Sequence, residues 1–235
     1  MIESRDLSVY FGTYHALKNI NINIPSGSTC AIIGRSGSGK TTLLHAMAGL
    51  KKPDQGAVYI GGNQITAVRK GTSVVLQGAS LFPWKTVRQN LMLALDLSVI
   101  DPEKRIQKVL EELEILKHID KFPYELSEGE RQRVAIARAI VCEPDVLIMD
   151  EPTASLDAIT KEVIQEQILK LHKTHGMALI LVTHDIEEAV FLGRQIFIIK
   201  EGQITNTIDN TLFGSFELKK QLPFYERCIA LREVL

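Results

Sequence analysis

The chain has 235 residues, of which 45% are hydrophobic and 23% charged, and its formal net charge is −1. That length allows one substantial core with at most a smaller lobe, and the near-zero charge gives no bulk attraction to nucleic acid or an acidic surface. No apolar run reaches the roughly 18 residues of a membrane helix, "MIESRDLSVYF" lacks the pattern of a signal peptide, and Cys30, Cys142 and Cys228 are too scattered for a disulfide framework or metal cluster, which suits a reducing, cytoplasmic compartment.

The first third reads as strands and turns. "DLSVYF", "NINI" and "STCAIIG" are short and β-rich, and "PSG" at 25–27 is a turn signal. One helix, "KTTLLHAMAGL", starts near Gly39 and ends at Gly49–Leu50, and "GAVYIGG" and "TSVVL" are further strands. From Val87 to Ile140 the pattern turns helical. Asp101 is placed to cap a helix with Pro102 at its first position, and Ile106, Val109, Leu110, Leu113 and Leu116 recur at helical spacing. This stretch is expected to be a helical lobe between β-rich segments. The last third alternates: strand "DVLIMD", helix Ala158–Lys173, strand "ALILVT", helix "DIEEAV", then strands "QIFIIK" and "QITNTI" around "EG". That order implies a largely parallel sheet.

"GRSGSGKT" (34–41) fits G-x-x-x-x-G-K-[ST], preceded by a strand and followed by a helix, as a phosphate-binding loop requires. Gly34, Gly37 and Gly39 permit a tight turn whose N–H groups converge on phosphate, and the helix N-terminus adds partial positive charge. Lys40 supplies a point charge for the β- and γ-phosphates, and the Thr41 hydroxyl suits Mg²⁺. Gly34, Arg35, Ser36, Gly37, Ser38, Gly39, Lys40, Thr41 and Thr42 are thus the expected contacts to ATP. "VLIMDE" (146–151) runs an apolar strand into Asp150, at the strand end where open α/β sheets bind ligands. Asp150 would hold Mg²⁺ through water, and Glu151 would orient or deprotonate the attacking water.

Between these motifs lies "LSEGERQRVAIARAI" (126–140). It resembles the signature segment of ATP-binding cassette (ABC) ATPases, usually L-S-G-G-Q before a basic helix. The resemblance runs in order along nearly the whole chain, and in "LFPWKTVRQN" (81–90) and the tail "PFYERCIALREVL" (223–235) it is most like the nitrate, sulfonate and taurine importer branch. Phe11 stands where the family stacks adenine, with Tyr10 and Tyr14 as close competitors. Gln77 stands at the family's Q-loop, Asp157 in "SLD" at its D-loop, and His184 in "VTHD" at its switch. The resemblance implies an α/β fold. It would have a P-loop NTPase core with a mostly parallel sheet, an N-terminal antiparallel β subdomain and an inserted helical subdomain at approximately 86–142, within one domain spanning 1–235. It also implies that Lys40, Gln77, Glu151 and His184 serve catalysis and that Thr41, Gln77 and Asp150 hold Mg²⁺.

Two such subunits pack head to tail in the family, as a homodimer or with a similar ATPase. Ser127, Gly129, Glu130 and Asp157 would then face the ATP of the other copy. Glu128 replaces the usual first glycine and Glu130 the glutamine. Ser127 and Glu130 form S-x-x-E, a capping box. At about 8 Å a carboxylate repels one phosphate charge by roughly 0.5 kcal/mol in water and about 2 kcal/mol at an effective dielectric of 20, enough to weaken closure without forbidding it. Arg131, Arg133 and Arg138 are too few for a nucleic-acid surface and are expected on a solvated face.

Leu81, Phe82, Pro83 and Trp84 form an apolar cluster where the family receives membrane permease subunits. The expected job is ATP hydrolysis for import of a small anion or organic solute at the cytoplasmic face of the membrane, with an extracytoplasmic solute-binding protein in the same system. The alternatives are a soluble ABC ATPase of an assembly or repair complex and a subunit that has lost hydrolysis.

Overall fold

The computed structural model describes residues 1–214 and 216–235. Strands β1 (Ile2–Phe11) and β2 (Tyr14–Ile24) form a hairpin, and β1 also pairs antiparallel with β4 (Gln55–Ile60), which pairs with β5 (Asn63–Gln64). The second sheet runs β10-β9-β3-β8-β7-β6. Within it β3 (Thr29–Ile33), β6 (Thr72–Val75), β7 (Val146–Asp150), β8 (Ala178–Thr183) and β9 (Gln195–Lys200) are parallel, and β10 (Gln203–Asp209) closes the edge antiparallel. The expected mostly parallel sheet is present. The two-residue β5 was not marked in the sequence, and β1 and β2 extend beyond the runs that marked them.

The apolar runs explain the second sheet. Alternate residues of its central strands enter two separate cores. Ala31, Ile33, Leu147, Met149, Leu179 and Leu181 face one side, and Cys30, Ile32, Val146, Ile148, Ile180 and Val182 face the other. A parallel sheet buried on both faces needs such unbroken hydrophobic strands. Each fully buried Leu, Ile or Val contributes about 1.5–3 kcal/mol, so truncating Ile148 to alanine would cost about 2–5 kcal/mol. Helix α1 (Lys40–Met47) seats Leu43, Leu44 and Met47 on one face, together with the antiparallel sheet.

The segment after β6 holds helices α2 (Val87–Met92), α3 (Pro102–Glu112) and α4 (Glu128–Ile140). Asp101 caps α3 as expected, accepting from the Lys104 N–H at 3.2 Å. With α5 (Ala158–His175), α6 (Ile186–Leu192), the short α7 (Phe216–Lys219) and α8 (Leu222–Glu233), the chain covers the other face. Helix α8, absent from the sequence reading, buries Phe224, Cys228 and Leu231 against that core. Their spacing of four and three is helical, but the stretch is short and its Pro223 reads as a breaker.

One expectation is corrected. Arg131, Arg133 and Arg138 do not form a solvated face: all three are half-buried. Arg131 Nη1 donates to the Leu126 carbonyl at 2.7 Å, and Arg138 lies 5.9 Å from the centre of the Phe82 ring. Helix α4 is wedged between α2, α3, α5 and β6, so even its polar side must pack its long stems against neighbours. Among the described residues, no helix is long and apolar enough to cross a membrane.

Candidate nucleotide-hydrolysis site

Strand register assembles the site. Ile33 of β3 pairs with Thr183 of β8, and Asp150 of β7 pairs with Val182. One step beyond these strand ends the chain places Gly34, His184 and Glu151 side by side. The loop 34–39 then turns into α1. Gly39 sits at φ 106°, and a side chain there would come within 2.8 Å of the Ala16 carbonyl, so both backbone angle and space demand glycine. The turn between β9 and β10 braces the loop from behind, with the Gly202 N–H donating to the Ser38 carbonyl at 2.9 Å. Nothing in the sequence marked that brace.

Lys40 is buried, and its ammonium donates to the Gly34 and Arg35 carbonyls at 2.8 and 3.0 Å. It thus curls over its own loop, at the place where phosphate oxygens would compete for it. Burial lowers its pKa, while Glu151 and Asp150 pull the other way. Asp150 is also buried; burial, then the neighbouring Glu151, raises its pKa. Its Oδ2 lies 3.5 Å from Thr41 Oγ1. A buried carboxylate beside a hydroxyl, both hard oxygen donors, suits Mg²⁺ completed by phosphate and water rather than a protein cage. The described residues contain no cluster of three His, Cys, Asp or Glu that could hold a metal ion.

Glu151 is the centre of the arrangement. Its φ is 47°, an uncommon conformation for a non-glycine residue, and its N–H is fixed to the Val182 carbonyl at 2.8 Å. Strain of this kind is held only where surroundings enforce it. The Gln77 amide donates to Glu151 Oε2 at 3.3 Å, and His184 Nδ1 lies 3.1 Å from Oε1. Each carboxylate oxygen therefore has its own partner, which fixes the plane of the group.

These side chains border a cleft of about 570 Å³ together with Phe11, Tyr14, Thr42 and the loop residues Ser36, Gly37 and Gly39. Phe11 is 53% exposed, with Lys51 Nζ 5.2 Å from its ring centre. Of its competitors, Tyr10 stacks on His15 with centroids 4.1 Å apart, whereas Tyr14 is 58% exposed and lines the cleft with Phe11. Arg35 and Ser38 lie on the adjoining side of the loop.

The remaining candidates lie outside this cleft. Ser127 caps α4: its hydroxyl accepts from the Glu130 N–H at 3.3 Å, and Glu130 Oε2 accepts from the Ser127 N–H at 2.8 Å. Glu130 Oε1 also lies 2.9 Å from His118 Nε2, a pairing across 12 residues of sequence that had no local signal. Glu128 and Ser127 are exposed and Gly129 is buried. A side chain on Gly129 would meet Thr160 Cγ2 at 2.4 Å. Asp157 caps α5 within its own subunit, accepting from the Ile159 and Thr160 N–H groups at 3.1 and 3.0 Å and from the Thr160 hydroxyl at 2.6 Å. The Thr160 hydroxyl bond is the main cause of its lowered pKa.

Leu81, Phe82, Pro83 and Trp84 do not line the cleft. Trp84 is 70% and Phe82 40% exposed, with ring centres 5.7 Å apart, while Leu81 packs against the core. The turn is stitched by fully buried Asn90. Its Nδ2 donates to the Phe82, Lys85 and Thr86 carbonyls at 3.2, 2.9 and 3.0 Å, and its Oδ1 accepts from the Phe82 N–H at 2.9 Å.

The family model described as ABC transporter matches residues 17–154. An aliphatic sulfonates import ATP-binding protein, SsuB 2 of Agrobacterium fabrum, is 40% identical over 200 residues, covering 85% of this chain and 76% of that protein. A nitrate import ATP-binding protein, NrtD of Synechocystis, is 38% identical over 228 residues, covering 93% and 86%. Among solved structures, the dimeric ABC transporter cassette MJ0796 superposes with a TM-score of 0.80 at 31% identity, covering 89% of this chain and 98% of that one. The same cassette is known in a post-hydrolysis state bound to ADP and Pi. CbiO1 of Clostridium perfringens, part of an ABC transporter complex, superposes with a TM-score of 0.83 at 31% identity, covering 99% and 93%. Fold, ordered motifs and relatives agree: the chain belongs to the ABC transporter family, as one of its ATP-binding, ATP-hydrolysing cassettes.

Proposed function

We propose that this cassette drives import of a small anion or organic solute, acting as a head-to-tail pair of ATPase subunits docked on membrane permease subunits at the cytoplasmic face. The observation that carries the catalytic part is the Glu151 carboxylate, held between Gln77 and His184 beside the phosphate loop. The import assignment is supported by relatives named for sulfonate and nitrate import. A solute-binding protein outside the membrane would deliver the cargo. The helical stretch at approximately 86–142 serves as the subdomain that meets the permease, with Phe82 and Trp84 as anchors on a turn kept rigid by Asn90.

In this reading Phe11 stacks the adenine, with Tyr14 at the same wall. The loop N–H groups and the N-terminus of α1 receive the phosphates, and Lys40 exchanges its carbonyl partners for phosphate oxygens. Thr41, Gln77 and Asp150 would hold Mg²⁺, which when bound offsets charge on the phosphate oxygens. Glu151 accepts the proton of the attacking water, with its orientation fixed by Gln77 and His184. His184 faces the γ-phosphate. Ser127, Gly129, Glu130 and Asp157 face the ATP of the second subunit. The Ser127 hydroxyl can donate to that phosphate while still accepting from the Glu130 N–H.

Steady-state ATP hydrolysis, wild type beside Glu151→Gln, with association followed in ATP, tests the reading. Loss of one base of this kind costs on the order of a hundredfold or more in turnover, while ATP binding persists and the closed pair accumulates. Near-normal turnover in Glu151→Gln would reject Glu151 as the base.

A further inference from the structure

We propose that Glu188 is a positioning residue for ATP hydrolysis: from α6, its buried carboxyl fastens the turn that carries Glu151 to the turn that carries His184. The proposal rests on the hydrolytic reading above and adds a residue that does not border the nucleotide cleft.

Glu188 is only 1% exposed. Thr153, two residues after Glu151, donates its hydroxyl to Glu188 Oε1 at 2.5 Å across 35 residues of sequence. Glu188 itself stands in the first turn of α6, four residues after His184. Thr153 and Thr183 are both buried, at 2% and 1% exposure. The switch turn is closed on its other side as well. The Asp185 N–H donates to the Thr183 hydroxyl at 3.0 Å, and the Glu188 N–H donates to Asp185 Oδ1 at 2.9 Å. Lys161 of α5 forms an ion pair with Asp185. One carboxyl thus joins the segments bearing the two groups that must act together.

A carboxyl is a poor choice for filling space. Burying one costs several kcal/mol unless every polar atom is matched, and an apolar residue of similar volume often serves stability as well or better. Burial raises the pKa of Glu188 and favours its neutral form. Its Oε1 supplies the acceptor that the buried Thr153 hydroxyl needs. The need for the bridge follows from the chemistry. A misplacement of about 1 Å can cost on the order of a hundredfold in rate, and Glu151 sits on a strained turn with no helix of its own to hold it. The phosphate loop makes no bond to Glu188, so ATP binding should not depend on it.

The test is steady-state MgATP hydrolysis by the full chain, as wild type, Glu188→Gln, Glu188→Leu and Thr153→Val, with ATP affinity and melting temperature measured on each. Glutamine keeps an acceptor and a donor, so turnover should stay within about threefold of wild type. Leucine and the Thr153→Val change should lower kcat by about tenfold or more, with KM and ATP affinity within about twofold. Folded Glu188→Leu with wild-type kcat would overturn the proposal. So would Glu188→Gln being as damaged as Glu188→Leu, or KM and kcat worsening together. If Glu188→Leu does not fold, Thr153→Val, which loses one hydroxyl at constant shape, decides on the same criteria. Wild type without turnover would instead refute the hydrolytic reading, and this inference with it; a competent wild type with indifferent variants refutes this inference alone.

Discussion

Substituting Gly129 by alanine tests whether the glycine of the signature segment is there for packing as well as for phosphate. The added carbon would lie 2.4 Å from Thr160 Cγ2, well inside van der Waals contact. Threonine is stiff at χ1, and Thr160 is further pinned because its hydroxyl and N–H both bond the Asp157 carboxylate. Overpacking of this kind costs about 1–3 kcal/mol. Alanine recovers about 1 kcal/mol of helix propensity over glycine, so the net loss should be at most about 2 kcal/mol. For a chain of this size that lowers the melting temperature by up to roughly 8 °C. The decisive measurement is Gly129→Ala in a Thr160→Ser background, which removes the clashing methyl and keeps the hydroxyl on Asp157. There the alanine should become neutral or slightly stabilising. Thermal or urea unfolding of the four proteins gives the coupling directly. The same loss in both backgrounds would refute the packing argument.

Glu128→Gly should strengthen ATP-dependent pairing. Removing about 0.5–2 kcal/mol of repulsion tightens association about 2- to 30-fold, read by sedimentation in ATP; an unchanged pair population would count against it. Asn90→Ala removes the amide contacts to Phe82, Lys85 and Thr86 that shape the Phe82–Trp84 turn. It should weaken permease binding in a pull-down with the purified membrane subunit while leaving ATP turnover of the isolated cassette within about twofold, because the turn lies outside the cleft; equal binding would dismiss the turn as an anchor. Glu130 titrates below its ordinary range, chiefly because it accepts the Ser127 N–H. A depressed carboxylate pKa contributes stability above the unfolded value, near 4.3, that is lost as pH falls through the lower folded value. Wild type should therefore exceed Glu130→Gln in stability most above about pH 4.5, and the gap should narrow in more acid solution; a gap independent of pH would exclude the charge as its source.

What the sequence made legible was what it encodes locally. The phosphate loop, the strand ending at Asp150, the Asp101 cap and the S-x-x-E box each fit within a few residues, and each stands where its pattern placed it. Gln77, Glu151 and His184 were inferred from order along the chain, but that both oxygens of Glu151 are held depends on strand register between β6, β7 and β8. The features missed are long-range. Gly202 behind the loop, His118 against Glu130 and Thr160 over Gly129 pair residues with no common motif. Asn90 reads as a polar residue inside a helix and gives no hint that it stitches a preceding turn. Glu188 reads as one more acid in "DIEEAV", because periodicity distinguishes apolar from polar residues and not a solvated carboxyl from a buried one. The arginines of α4 were misplaced for the related reason that charge predicts a solvated head group while the stem follows the packing of its helix.

The stretch "LSEGER" can therefore serve one subunit and its neighbour without contradiction. In the isolated chain Ser127 and Glu130 satisfy each other, and Gly129 is held close to Thr160 by packing. A phosphate arriving from a second subunit would meet a preformed helix N-terminus, and the Ser127 O–H could donate to it while the hydroxyl oxygen keeps the 3.3 Å bond from the Glu130 N–H. The gain there is a charge-assisted bond, roughly twice as strong as a neutral one. Against it stands the exposed carboxylate of Glu128, whose repulsion is of similar size. In the proposed closed pair these opposing terms would each be about 0.5–2 kcal/mol, so a partner docked on the Phe82–Trp84 turn would need to shift the balance only slightly to change hydrolysis.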